Sequence, residues 1–260
     1  MAKGDEQTAA AIVAAAREPK KITTPELIHG LCSEFMELHG DRGNGDDQAV
    51  IGGIGVFNQQ PVTLIATDKG TSAEERIVKN FGSPLPAGYR KARRLIMQAA
   101  KFHRPVITLV NTSGAYPGQT AEENGQGEAI ARNLLELSTV PVPMITIIFG
   151  EGGSGGALAL ACGDEVWMLE NSMYSVLSPE GFASILWKDS TRSAEAAELL
   201  QLTPQALLKQ QVIEGIIPEP GSHKKVVRNI ADVLKRELPR LQRMTTTELL
   251  EQRKQRYRKF

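Results

Sequence analysis

Cysteine and histidine are scarce. Two cysteines, Cys32 and Cys162, build neither a disulfide framework nor a four-thiolate zinc site, and the four histidines are too scattered to complete a metal centre. Neither sign of charge is in surplus, because 30 Lys and Arg balance 30 Asp and Glu. Binding to nucleic acid or a membrane surface would then need a local basic patch, and neither partner is expected. Long apolar runs are missing too. Stretches such as Pro143–Phe149 fall far short of the ~20 residues that cross a bilayer. The opening Met-Ala-Lys-Gly-Asp-Glu-Gln has no apolar core followed by a cleavage site, so no secretory signal is expected. The chain reads as cytoplasmic and metal-free.

What is present has the grammar of an α/β protein. A 41% hydrophobic content at zero net charge excludes disorder of the whole chain. Residues 1–48 read as an N-terminal helical arm: Thr8–Arg17 is Ala-rich, and Thr24-Pro25-Glu26-Leu27 opens a helix with Pro just inside it. Ile28, Leu31, Cys32 and Phe35 recur at helical spacing. Residues 49–240 read as the main domain and 241–260 as a basic helical tail. In that tail Arg253, Lys254, Arg256, Arg258 and Lys259 read as a solvated helix end. Within the main domain, strands are expected at Val62–Thr67, Val106–Val110, Met144–Phe149, Val166–Leu169 and Tyr174–Leu177. Helices are expected at Tyr89–Phe102 and Ala121–Thr139. Such alternation implies a largely parallel sheet covered on both faces, with ligands at the carboxyl ends of the strands.

Two Gly-rich loops fall at that end. Gly150-Glu151-Gly152-Gly153-Ser154-Gly155-Gly156-Ala157 follows a strand and opens a helix, and it admits three chemistries. Gly150, Gly152 and Gly155 fit a dinucleotide fingerprint, with Glu170 where a ribose-binding acid belongs, but the following helix is short for a crossover. Gly152, Ser154 and Gly156 fit a nucleophile elbow, with His223 as the one histidine later in the chain. Third, Gly155 and Gly156 expose backbone N–H groups at a helix N-terminus, where two donors can bind a developing oxyanion. Tight helix–sheet contact without chemistry is the bland alternative. The second loop, Asn111-Thr112-Ser113-Gly114-Ala115-Tyr116-Pro117-Gly118, should face the first, with Gly114 and Ala115 offering another amide and Tyr116 a wall or a hydroxyl. A turn without chemistry also fits it.

Several longer motifs occur in order: Phe35–Arg42, Asn80-Phe81-Gly82 with Gly88–Ala92, Gly114–Gly118, Gly150–Leu158, Tyr174–Lys188 and Ile216–Pro220. Together, over about residues 22–235, they resemble the carboxyltransferase α subunits of bacterial acetyl-CoA carboxylases. The resemblance implies a crotonase/ClpP-like fold of repeated ββα units with C-terminal helices. It implies transfer of a carboxyl group to acetyl-CoA from carboxybiotin, which arrives on a biotin carboxyl carrier protein and is not covalently bound here. It also implies a carboxyltransferase β subunit as partner in an α2β2 assembly, with homodimerisation of α and the metal left to β. Carried over by position, Gly155 and Gly156 would form the oxyanion hole for biotin, and Gly114, Ala115, Tyr116 and Gly153 would line the substrate cleft.

Two stretches depart from the family pattern. Asn111-Thr112-Ser113-Gly114 stands where Asp-Thr-Pro-Gly is common, and Thr67-Asp68-Lys69-Gly70 where His-Gln-Lys-Gly is common. The Asn111 and Ser113 changes keep open a non-catalytic assembly subunit; a separate alternative is another acyl-CoA enzyme of the same fold. A hydratase or hydrolase would need acid/base carboxylates, for which Glu151 is the loop candidate.

Overall fold

The computed structural model describes residues 7–43 and 45–260. Its centre is a mixed sheet in the order β1-β2-β3-β4-β5-β6-β8. Strands β1 (Phe35–Glu37), β2 (Val50–Phe57) and β3 (Gln60–Thr67) are antiparallel, whereas β4 (Val106–Thr112), β5 (Met144–Gly153), β6 (Glu165–Leu169) and β8 (Gly215–Ile217) continue in parallel. The expectation of a largely parallel sheet thus holds from β3 onward. Asn58 and Gln59 both have positive φ, the mirror-image turn that matches strand twist and closes a two-residue hairpin between β2 and β3.

Alternation along the strands divides the core. Val106 and Val110 of β4 and Met144 and Ile148 of β5 face helices α4 (Pro86–Lys101), α6 (Gln126–Leu137) and α7 (Ser154–Ala161). Ile107, Leu109, Ile145 and Ile147 face α2 (Thr24–Leu31) and α11 (His223–Gln242). On the α7 face of the sheet the Thr108 and Thr146 hydroxyls pair at 2.7 Å. Ahead of α2, α1 (Ala9–Ala16) packs on α9 (Ser193–Leu200).

Four local expectations differ from the structure. Phe35 lies in edge strand β1, not in a helix: the glycines of β2 leave room for it, since a Cβ at Gly53 would stand 2.2 Å from the Met36 carbonyl oxygen. The helix expected over Ala121–Thr139 is broken by left-handed Gly125 into α5 (Gln119–Glu123) and α6. A helix over Ala73–Val78, α3, was not expected, although Ser72 and Glu75 close a capping box there. The tail is not a solvated end, because Arg253 and Arg256 on α12 (Thr246–Tyr257) are buried. Among the described residues no helix is long and apolar enough to cross a membrane, and no group of three or more metal-ligating side chains is found.

Candidate active site at the start of α7

The run Gly150–Gly153 is strand rather than loop. It extends β5 past its neighbours to pair Glu151–Gly153 with β7 (Met173–Ser175), and Gly152 with Thr112. Glycine is needed because other backbone covers the strand: a Cβ at Gly153 would stand 2.1 Å from the Ser113 carbonyl oxygen. The chain then turns sharply at Ser154, an exposed residue with φ of 55°, and enters α7. Gly155 and Gly156 occupy its first turn, where N–H groups lack intrahelical acceptors and the helix dipole is positive.

The second loop meets this turn directly. Gly114, at φ of 136°, lets the chain pass over Gly153, and the Ala115 nitrogen lies 2.3 Å from where a Cβ at Gly156 would stand. Among the described residues the Ala115 N–H meets no acceptor, whereas the Tyr116 N–H donates to Pro84 O at 3.0 Å. Gly155 has open space where a Cβ would sit, the nearest atom being Ile130 Cγ2 at 3.9 Å. A cleft of about 310 Å³ opens there, walled by Ser154, Leu158, Tyr174, Val176 and Leu200. Gly155 therefore faces the cleft. Gly114, Ala115 and Gly156 form the contact between the loops, Gly153 is covered, and the half-buried Tyr116 ring lies over Gly118.

Charge gathers beside this turn. Glu151 is 5% exposed and is held by the Lys69 ammonium and by Arg17 Nε at 2.7 Å. Arg17 reaches on to Glu180 Oε1 at 2.7 Å. Burial opposes ionisation of Glu151, but the Lys69 and Arg17 charges outweigh it and hold the carboxyl below its ordinary range. Glu151 is thus an ionised, doubly paired group and not a ready proton donor. A cavity of about 270 Å³ adjoins it, lined by Lys21, Lys69, Asn111 and Ser113 on one hand and Phe81 and Phe149 on the other.

Two readings of the glycine run lose their partners. His223 Nδ1 sits 3.0 Å from Glu26 Oε1 and Nε2 sits 3.0 Å from Lys20 O, so both ring nitrogens are engaged with the N-terminal segment and not with Ser154. Glu170 accepts from the Glu219 N–H at 3.2 Å, and the eight residues of α7 are too short for the dinucleotide crossover.

Comparison with known proteins decides the family. The family described as acetyl co-enzyme A carboxylase carboxyltransferase-like matches residues 5–260. The acetyl-coenzyme A carboxylase carboxyl transferase subunits alpha of Streptococcus pneumoniae strains Hungary19A-6 and ATCC 700669 / Spain 23F-1 are each 56% identical over 252 residues, covering 96% of this chain and 99% of theirs. The chain belongs to this carboxyltransferase family. In fold it is similar to transcarboxylase 12S, with TM-score 0.69 and 19% identity over 87% of this chain and 43% of that one. It is also similar to the β subunit of P. aeruginosa geranyl-CoA carboxylase, with TM-score 0.65 and 18% identity over 88% of this chain and 44% of that one. The α/β fold of the chain is shared with these carboxylase components.

Against the carboxyltransferase pattern, the two departures prove locally satisfied. Asn111 Oδ1 accepts the Glu151 N–H at 3.0 Å, a bond a carboxylate would also accept, and the Asn111 N–H donates to Thr67 Oγ1 at 2.7 Å. The Ser113 hydroxyl pairs with that of Ser83 at 3.2 Å, and Asp68 is ion-paired to Lys79. Sequence reasoning missed Tyr89. Among the described residues its buried hydroxyl meets no partner, and it lies 2.7 Å from where a Cβ at Gly156 would stand. The one signal for it was its place in the Gly88–Ala92 motif.

Proposed function

We propose that this chain is the α half of a two-subunit carboxyltransferase that carboxylates acetyl-CoA to malonyl-CoA for fatty-acid synthesis in the cytoplasm. Carboxybiotin, presented by a biotin carboxyl carrier protein, supplies the carboxyl group. One observation carries the reading: an open, Cβ-free approach at Gly155 beside unpaired donors, the helix N-terminal amides and the Ala115 N–H. The Gly155 and Gly156 amides hold the biotin ureido oxygen and stabilise the negative charge that develops on it, an effect worth several kcal/mol. Ala115 offers a further donor, Gly114 and Gly153 provide the close backbone packing, and Tyr116 walls the loop. We assign no side-chain base to this chain, since Glu151 is committed to two cations.

The second half of the site comes from a β subunit, in an α2β2 assembly. Val176, Ile185, Leu186 and Leu199 are all more than half exposed, near the cleft and on α8 (Pro179–Trp187) and α9, and give an apolar face for it. The test is malonyl-CoA-dependent carboxylation of free biotin by the chain with and without its co-expressed β subunit. Activity is expected only when the partner is present. A stable complex without activity would favour the non-catalytic assembly subunit.

A further inference from the structure

The far end of α7 from its glycines is held by α12. Arg253 is 1% exposed, and its guanidinium meets the two Asp164 oxygens at 2.9 and 2.8 Å. It also donates to the carbonyls of Leu137, Val140 and Val142 at 3.0, 2.8 and 3.0 Å. Asp164 Oδ2 in turn accepts the Met144 N–H at 2.8 Å. Asp164 follows α7 and Met144 opens β5, so one arginine ties together the base of the β5–α7 unit. Four residues on, the Tyr257 hydroxyl shares its proton between the carbonyls of Ala161 and Gly163, at 3.0 and 3.1 Å. Ala161 ends α7, the helix that begins with the glycine amides.

We propose that α12 sets the position of α7 along its axis, with Tyr257 and Arg253 as positioning residues for the amides of Gly155 and Gly156. The physical route is short. An eight-residue helix is about 12 Å long and moves as a rod, so a shift at its last carbonyls arrives at its first amides. Its own side chains are mostly glycine and alanine, which leave few protrusions to hold it against sliding. A misplacement of about 1 Å at a reacting centre costs up to about 100-fold in rate. The proposal rests on the oxyanion reading above.

Its test is Tyr257→Phe in the full chain assembled with the β subunit, with Gln255→Ala on the exposed side of the same helix as control. Two quantities are read: kcat and KM for malonyl-CoA-dependent biotin carboxylation, and hydrogen exchange of the segments 150–163 and 50–67. We expect kcat to fall about tenfold with KM within about twofold, and exchange to accelerate in 150–163 alone. A kcat within about twofold of the parent, or exchange rising equally in both segments, overturns it. If the parent complex is itself inactive, the carboxyltransferase reading fails. Exchange then decides the role of α12 alone: acceleration confined to 150–163 supports it, and any other pattern overturns it.

Discussion

Gly155 and Gly156 are neighbours with opposite tolerances. A Cβ at Gly156 meets Ala115 N at 2.3 Å and the Tyr89 hydroxyl at 2.7 Å, whereas one at Gly155 meets open space. Gly156→Ala should therefore lower both stability and activity, and Gly155→Ala should leave the melting temperature unchanged. Thermal melts of the two variants side by side check this, and equal destabilisation would contradict the packing described. Tyr89 gives a sharper case. Its buried hydroxyl has no partner among the described residues, so Tyr89→Phe should raise stability by about 1 kcal/mol in urea unfolding. A loss of stability would mean that the hydroxyl is bonded after all. The glycine pair was legible because helix-opening glycines after a strand announce free amides. Tyr89 was not, because an unpaired hydroxyl is a property of tertiary contact and leaves no trace in local pattern.

At the scale of elements, β5 does two things at once: it is core strand up to Phe149 and, beyond it, carries the chain to the candidate site at α7. Sequence reading ended the strand at Phe149 because glycine normally marks a loop. The continuation to Gly153 depends on pairing with β7, more than 20 residues later, which local spacing does not encode. The same holds for α1. Its helix was legible from alanine content, but the reach of Arg17 to Glu151 spans 134 positions. This contact makes stability depend on pH with a definite sign. Because the Glu151 pKa is depressed, its ion pairs contribute fully above the ordinary glutamate value of about 4.3 and are lost as pH falls through the lower folded value. Glu151→Gln should cost about 1–3 kcal/mol at pH 7. The gap to the parent in chemical unfolding should shrink below about pH 4. A gap that persists undiminished at pH 3 would contradict the assignment.

Across the whole molecule, the N- and C-terminal segments of the chain both close onto the central strands. The Ile22 and α2 side chains share a core with α11, and α12 returns to the base of β5. Arg253→Ala should cost about 3–5 kcal/mol, since Asp164 would be left buried without its counter-charge. Urea midpoints compared with Lys254→Ala, an exposed neighbour, measure it. The tail's basic composition had suggested solvation. Net charge does not reveal which arginine of a run is buried, and burial here follows from carbonyls contributed by distant segments. The overall class, by contrast, followed from alternation of strands and helices alone, and so did the choice of the strand ends as the place to look for a site.

The proposed function assigns this subunit's chemistry to backbone amides at the start of α7. Gly155→Val in the assembled α–β complex tests it most directly, because the added Cβ comes no closer than 3.9 Å to its nearest neighbour, Ile130 Cγ2, while the branched methyls crowd the approach to the amides. Biotin carboxylation from malonyl-CoA is expected to fall about 100-fold with an unchanged melting temperature and elution volume. Parent-like activity from that intact complex would contradict the account.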